Sequence, residues 1–389
     1  MSGDVGGNVG GNAQMAVSPG TPAAVPLDTH MALPPAAQMA VPPGTQIIIP
    51  GAAPAPEPAA QTPPGPGRAL KVALSSSPFY MGLVLVALVA FFSFLHPGTF
   101  ASSFNIRNIF LDASVLLILA VGTTYIMIAG GFDLSIGSVL VFSGVAAAQV
   151  MLRVGSTDSL GTVALGFAVA LLCGAAWGVF NGLCITRLRV SALISTLGSM
   201  GAALGGAYLL SDGSDIRTVP NALIALGHGS IGGVPWLVVI TAIMALAGGI
   251  VLHMTRFGRH TFLVGSNPEA ARRAGINVSG HLLKLYALSG LLAGFAAMLS
   301  LGRFSTTTLE GHANDPLEAI TAVVLGGTAL TGGRGSVIGT VVGVFIPAVL
   351  ANGFIIMGIQ PFWQMVVIGF VVIAAVYADQ IKRGKGERL

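Results

Sequence analysis

Few side chains in this sequence could do chemistry, and the acids come first. Asp112, Asp133 and Glu318 fall in or at the edge of long apolar runs. Carboxylates embedded in a membrane mark ion or substrate paths. All three lie near the end of a run, where an interfacial position accounts for them equally. A carrier driven by protons or sodium usually shows ionisable groups near the bilayer midplane. Their scarcity here points to an energy source outside the chain.

Two glycine loops follow. Gly130-Gly131-Phe132-Asp133-Leu134-Ser135-Ile136-Gly137-Ser138 separates two apolar runs. Asp133 and Ser135 can cap the next helix, and the glycines permit a tight reversal. That structural role explains the residues fully. The rival reading puts Asp133, Ser135 and Gly137 on a transport pathway, because broken helices at membrane depth line cavities. The second loop, Gly326 to Ser336, holds Gly332, Gly333 and Arg334. A phosphate-binding role is rejected, since a P-loop needs Gly-Lys-Ser/Thr opening a helix after a strand. Gly333 and Glu318 remain candidates for a gating loop, and Arg334 reads as a cytoplasmic anchor. The loops share a pattern (Gly130/Gly332, Gly131/Gly333, Gly137/Gly339), which chance accounts for equally among 54 glycines.

Nothing else suggests catalysis. There is no nucleophile elbow and no zinc-ligand spacing. His253, His260 and His281 read as solvated or interfacial side chains near one basic stretch. Cys173 and Cys184 lie in one run, about 16 Å apart along a helix, too far for a disulfide. No catalytic residue, metal or cofactor is expected, and no nucleic-acid partner. The chain is not expected to be an enzyme.

The basic stretch is Thr255–Lys284, between two apolar runs. Inside it lies a small helix with its own signals. Asn267 can cap it, Pro268 fits the first turn, and Glu269 suits the positive end of the dipole. Ser266 with Glu269 has the capping-box spacing, so either residue could be the cap. Gly275 is placed to end the helix in a left-handed conformation. A helix of about two turns is marginal in water without a packing partner. The expected partner is another protein.

These residues are positioned by membrane spans. The chain is 53% hydrophobic and 8% charged, against roughly 25% charged in soluble domains. The fold class expected is all-α, a polytopic membrane helix bundle of about ten spans. The runs are 79–95, 107–129, 136–152, 161–185, 191–210, 236–254, 282–301, 316–330, 336–357 and 362–379. With an even count, most basic loops fall on one side. That side, with both termini, is expected to be cytoplasmic. The loop 211–235 is expected to hold a short surface helix near Asn221–Leu226. Small residues at helical spacing (Gly198, Gly201, Gly205; Gly290, Gly294) suit close packing, or a moving interface. Residues 1–74 are rich in Pro, Ala and Gly and are expected to be disordered, with no signal peptide. Residues 75–382 form the membrane domain and 383–389 a cytoplasmic tail.

Four stretches together resemble a known family: Asn105–Ser138, Ser195–Asp215, Thr255–Ile276 and Leu317–Gly339, with Phe362-Trp363-Gln364 beyond. The sequence is similar over residues 75–382 to permease subunits of bacterial ABC importers for monosaccharides. That group serves ribose, xylose, arabinose and galactose, with relatives for polyols and autoinducer-2. The resemblance implies a permease in the inner membrane that provides the pathway for a monosaccharide or polyol. It implies three partners: a cytoplasmic ATP-binding subunit, an extracytoplasmic sugar-binding protein, and a second permease copy or close paralogue. It also implies that the small helix is the coupling helix that docks in a groove on the ATPase. The matching residues are Asn267, Glu269, Ala270, Ala271 and Gly275. An alanine face (Ala270, Ala271, Ala274) suits a groove, with Arg272 and Arg273 free to reach acids on the partner or stay solvated. Specificity would rest with the binding protein, which fits the shortage of convergent polar groups in the spans. The rival is an ion-coupled secondary carrier of a small polar solute.

Overall fold

The computed structural model describes residues 77–155 and 159–360, together with residues 3, 362, 363, 366, 367, 369 and 370. The chain divides into two units, Met1–Thr62 and Pro63–Leu389. Among the described residues, every helix belongs to the second unit. The expected disordered segment, the C-terminal tail and most of the last expected span lie outside the described residues.

Twelve helices run in order among the described residues: α1 (Ser77–Leu95), α2 (Ser103–Ile128), α3 (Ile136–Val154), α4 (Leu160–Thr186), α5 (Ala192–Leu210), α6 (Asn221–His228), α7 (Trp236–Met254), α8 (Arg256–Ser266), α9 (Pro268–Arg273), α10 (Val278–Phe304), α11 (Asp315–Leu325) and α12 (Val337–Ile356). A two-residue hairpin, β1 (Ser230–Ile231) with β2 (Val234–Pro235), turns through Gly232 and Gly233, both at positive φ. Among the described residues, eight helices are long and apolar enough to cross a membrane: α1 to α5, α7, α10 and α12.

Side-chain caps start most of them. Ser102, Ser159, Ser191, Thr255, Asn277 and Ser336 each accept a backbone N–H of the first turn, which satisfies donors the helix leaves unpaired. Helix α2 is apolar on every side and is buried without a break from Ala113 to Ile128. It is the central helix, as such a pattern requires. Helix α1 lies at the edge, held by Phe92 against Phe100, Phe354 and Gly353. Exposed apolar residues such as Leu83, Phe94, Leu172 and Leu209 then face lipid.

The two sets of small residues behave differently. Gly290 and Gly294 of α10 press backbone to backbone on Gly174, Gly178 and Ala170 of α4. A Cβ at Gly174 would meet the carbonyl of Gly290, and one at Gly178 the carbonyl of Tyr286. Gly198, Gly201 and Gly205 of α5 meet nothing within 4 Å. Helix α6 forms where a short helix was expected, and Gly227 packs on Gly302 of α10.

Two expectations change. The run 316–330 does not form a span. Its helix, α11, has 11 residues, about 16 Å, or half of a hydrocarbon core of about 30 Å. It stops because Gly326 lies against the backbone of Gly339 and Gly327 turns at φ +89°. Ser135 does stand at the start of α3, but its side chain makes no cap. Its hydroxyl is engaged by Asp133 and Asn181 instead.

Candidate coupling and passage sites

Helix α9 has the caps its sequence demands. Asn267 Oδ1 accepts the N–H groups of Glu269 (3.0 Å) and Ala270 (2.9 Å). Asn267 is therefore the cap, while Ser266 belongs to the end of α8. At the other end Gly275 has φ +82°. Its N–H donates to the Arg272 carbonyl (2.9 Å), and the Ile276 N–H donates to that of Ala271 (3.0 Å). These two bonds complete a Schellman motif. Arg272 and Arg273 both reach back to Glu269, at 3.2 and 3.6 Å. All three side chains are exposed, so the pairs contribute little and leave the charges available. Ala270 and Ala274 face outward, whereas Ala271 is 3% exposed and packs inside its own chain. The outward surface is thus Ala270, Ala274 and the charged trio, without Ala271.

Just before α9, three backbone segments converge. The Gly333 N–H donates to the Ile128 carbonyl at the end of α2 (2.8 Å). A Cβ at Gly265 would strike that same carbonyl and lie 2.8 Å from Gly333 N. A Cβ at Gly332 would lie 2.9 Å from Gly130 N and 3.0 Å from Gly265 O. Gly130 and Gly332 share a positive φ, +82° and +86°. The repeated glycine pattern therefore marks two loops that meet each other and the end of α8. His281 adds a tie: it is buried and lies 2.9 Å from Thr261 Oγ1, linking α10 to α8. Of the two settings expected for it, solvated or interfacial, burial removes the solvated one.

Above the junction lies a buried polar cluster. Asp133 Oδ1 accepts the Ser135 N–H (3.0 Å) and hydroxyl (2.6 Å), and Ser289 Oγ donates to Oδ2 (3.1 Å). Asn181 Nδ2 donates to Ser135 Oγ (2.8 Å), and the Tyr286 hydroxyl to the Phe132 carbonyl (3.0 Å). Asp133, Ser135, Asn181 and Ser289 are all buried. A buried carboxylate persists only if donors surround it, and here α3, α4 and α10 supply the setting. Asn181 and Ser289 are polar residues inside apolar runs, and that was the signal that could have found them.

A cavity of about 450 Å³ opens where α2, α10, α11 and α12 meet. Asp112 lies early in α2, Arg303 ends α10 and Asn352 lies late in α12, so the cavity is at the end of the bundle away from α9. Asp112, Arg303, His312, Asp315, Glu318 and Asn352 line it. Arg303 pairs with Asp112 and donates to the Leu111 carbonyl, bridging α10 to α2. His312 lies 2.7 Å from Asp315 Oδ2 and 2.8 Å from Ser300 Oγ. Asn352 exchanges two 2.8 Å bonds with Asn105. The Glu318 side chain has no hydrogen bond or ion pair among the described residues. Folding thus gathers polar groups that the sequence left scattered: Asp112, Arg303 and Asn352 from α2, α10 and α12, with His312, Asp315 and Glu318 from the loop and short helix between α10 and α12. The signal missed was the loop 305–314, which carries His312 back to the start of α11.

Of the five candidate pathway residues, only Glu318 lines this cavity. Gly137 touches its edge, against the His312 carbonyl and Pro316. Asp133 and Ser135 lie in the buried cluster, and Gly333 in the junction. A second, larger cleft of about 630 Å³ between α2, α7 and α12 is almost wholly apolar (Phe110, Leu117, Leu246, Ile250, Val341, Phe345) and offers a polar solute little to hold. Cys173 and Cys184 are free.

A family model described as branched-chain amino acid transport system / permease component matches residues 105–376. The chain is similar to the ribose import permease protein of Escherichia coli (strain K12), 37% identical over 305 residues, covering 77% of this chain and 93% of that one. It is similar to the galactose/methyl galactoside import permease protein of the same strain, 35% identical over 317 residues, covering 77% and 93%. The fructose import permease protein of Rhizobium meliloti is 34% identical over 316 residues, covering 79% and 86%. No solved structure matches the chain with significance.

Proposed function

The chain belongs to the family described as branched-chain amino acid transport system / permease component, and on that premise we propose that it is the membrane subunit of an ATP-driven sugar importer. The relatives named above import ribose, galactose and fructose, which favours a monosaccharide or polyol as the solute. The bundle would sit in the bacterial inner membrane with α9 on the cytoplasmic side. It would pair with a second permease copy or paralogue and receive sugar from an extracytoplasmic binding protein.

One observation carries the mechanism: α9, capped at both ends, abuts the glycine junction that ties α2 to the loop before α12. A groove on an ATP-binding subunit would hold Ala270 and Ala274, with Glu269, Arg272 and Arg273 at its rim. ATP-driven closure would displace α9. The backbone at Gly265 has no slack, so the displacement passes to Ile128 and to Gly332–Gly333. From there it reaches α11, whose other end borders the polar cavity. Rigid, packed segments transmit such shifts because they cannot absorb them.

The test is uptake by proteoliposomes holding this chain with its ATP-binding subunit and binding protein. Uptake that requires internal ATP and persists with an uncoupler supports the reading. Uptake that collapses with the uncoupler while ATP persists would instead establish the ion-coupled carrier.

A further inference from the structure

We infer that the cavity between α2, α10, α11 and α12 is a sugar-binding site of the permease itself, not a featureless passage. This rests on the sugar-import reading and goes beyond it, since that reading leaves recognition to a separate binding protein.

The chemistry on its walls suits a polyhydroxy solute. A sugar presents a ring of hydroxyls, each both donor and acceptor. Carboxylates accept from such hydroxyls, and a guanidinium donates to them. Asp112, Asp315 and Glu318 supply acceptors, Arg303 donors, and Asn352 both. The first four of these side chains are only partly committed. Arg303 holds one oxygen of Asp112, and His312 holds one oxygen of Asp315. Glu318 has no partner at all among the described residues. Phe304, with Arg303 stacked 5.0 Å from its ring centroid, adds an apolar face for the carbon side of a sugar. The volume, about 450 Å³, lies within the usual range of small-ligand sites, roughly 300–1,000 Å³.

The geometry adds direction. Glu318 and Asp315 lie on α11, the short helix that runs from the cavity to the glycine junction. Movement of that junction would therefore withdraw acceptors from the sugar while the Arg303–Asp112 bridge stays on the other wall. A site of this kind would be weak in its resting geometry and lost when α11 shifts, which is what passage requires.

The test uses the full chain in lipid nanodiscs, without its partners, and equilibrium dialysis with radiolabelled D-ribose, D-galactose, D-fructose, D-xylose and myo-inositol. Saturable retention of at least one is expected. Glu318→Gln, which replaces one carboxyl oxygen with an amide donor, should weaken it about tenfold. Ala351→Phe, which fills the cavity from α12 without removing a polar group, should abolish it. Leu172→Ala, on the lipid-facing side of α4, should leave it unchanged. No saturable retention of any of the five overturns the inference, as does retention that survives Ala351→Phe in a variant that elutes as the parent does. If the full assembly imports one of these sugars with ATP while the permease alone retains none, the site falls and the importer reading stands. Retention without ATP-driven import would leave the site and overturn the importer.

Discussion

The α-carbon of Gly265 lies against the carbonyl of Ile128, with no room for a side chain between them. The contact joins the helix before α9 to the end of the central helix. A Cβ there must push one of the two segments away. Gly265→Val should therefore leave the chain inserted but uncouple it. The expected result is normal co-purification with the ATP-binding subunit and a loss of ATP-dependent uptake. The strain is about 1–3 kcal/mol, as for overpacked sites. Normal uptake would show that the junction carries no motion.

Gly275→Pro tests α9 itself. Proline cannot adopt φ +82° and has no N–H to give the Arg272 carbonyl. The substitution should break the C-terminal cap, at a cost above about 1 kcal/mol. Uptake should be abolished while membrane insertion, measured by extraction, is unchanged. Asn267→Ala is the milder companion. It removes two hydrogen bonds at a cost of about 0.5–2 kcal/mol and should lower uptake partially.

The α4–α10 seam should be intolerant of size. Gly174→Leu or Gly290→Leu must separate backbones that now touch. Each should lower the thermal unfolding midpoint in detergent by several degrees. Gly201→Leu on α5 meets open space and should not. Equal effects at the three sites would contradict the packing described.

Asp133→Ala should be more damaging than its isolated position in a loop suggests. It leaves three buried donors, the Ser135 N–H and the Ser135 and Ser289 hydroxyls, without their acceptor, at about 1–3 kcal/mol for each unsatisfied group. Lower yield and a lower unfolding midpoint are expected. Ser289→Ala, which removes one donor and leaves the two from Ser135, should cost less.

Much of the fold is legible in the residues. Apolar runs of the right length mark α1 to α5, α7, α10 and α12; Gly275 marks the end of α9, and its cap is one of the two residues, Ser266 and Asn267, that the sequence allows. The run 316–330 reads as a span because hydropathy averages over a window and does not see that Gly326 and Gly327 end the helix. Ala271 reads as part of the outward face because a six-residue helix carries too little periodicity to fix its orientation. The cavity is invisible for a different reason. Asp112, Arg303, Asp315 and Asn352 are far apart in sequence, and each alone resembles an interfacial residue. Packing of α2 against α10 and α12 brings Asp112, Arg303 and Asn352 together, and the return of the loop 305–314 adds Asp315. Asn181 and Ser289 escape notice because a single polar residue in a span has many ordinary explanations.

The half length of α11 has a mechanical consequence. A full span must tilt or rotate as a long rod, dragging lipid and neighbours along its whole length. An eleven-residue segment is only about half as long as a hydrocarbon core is thick, so it can shift without moving a long lipid-facing surface. What fixes α11 in place is the tight backbone packing at one end, where Gly326 lies against Gly339.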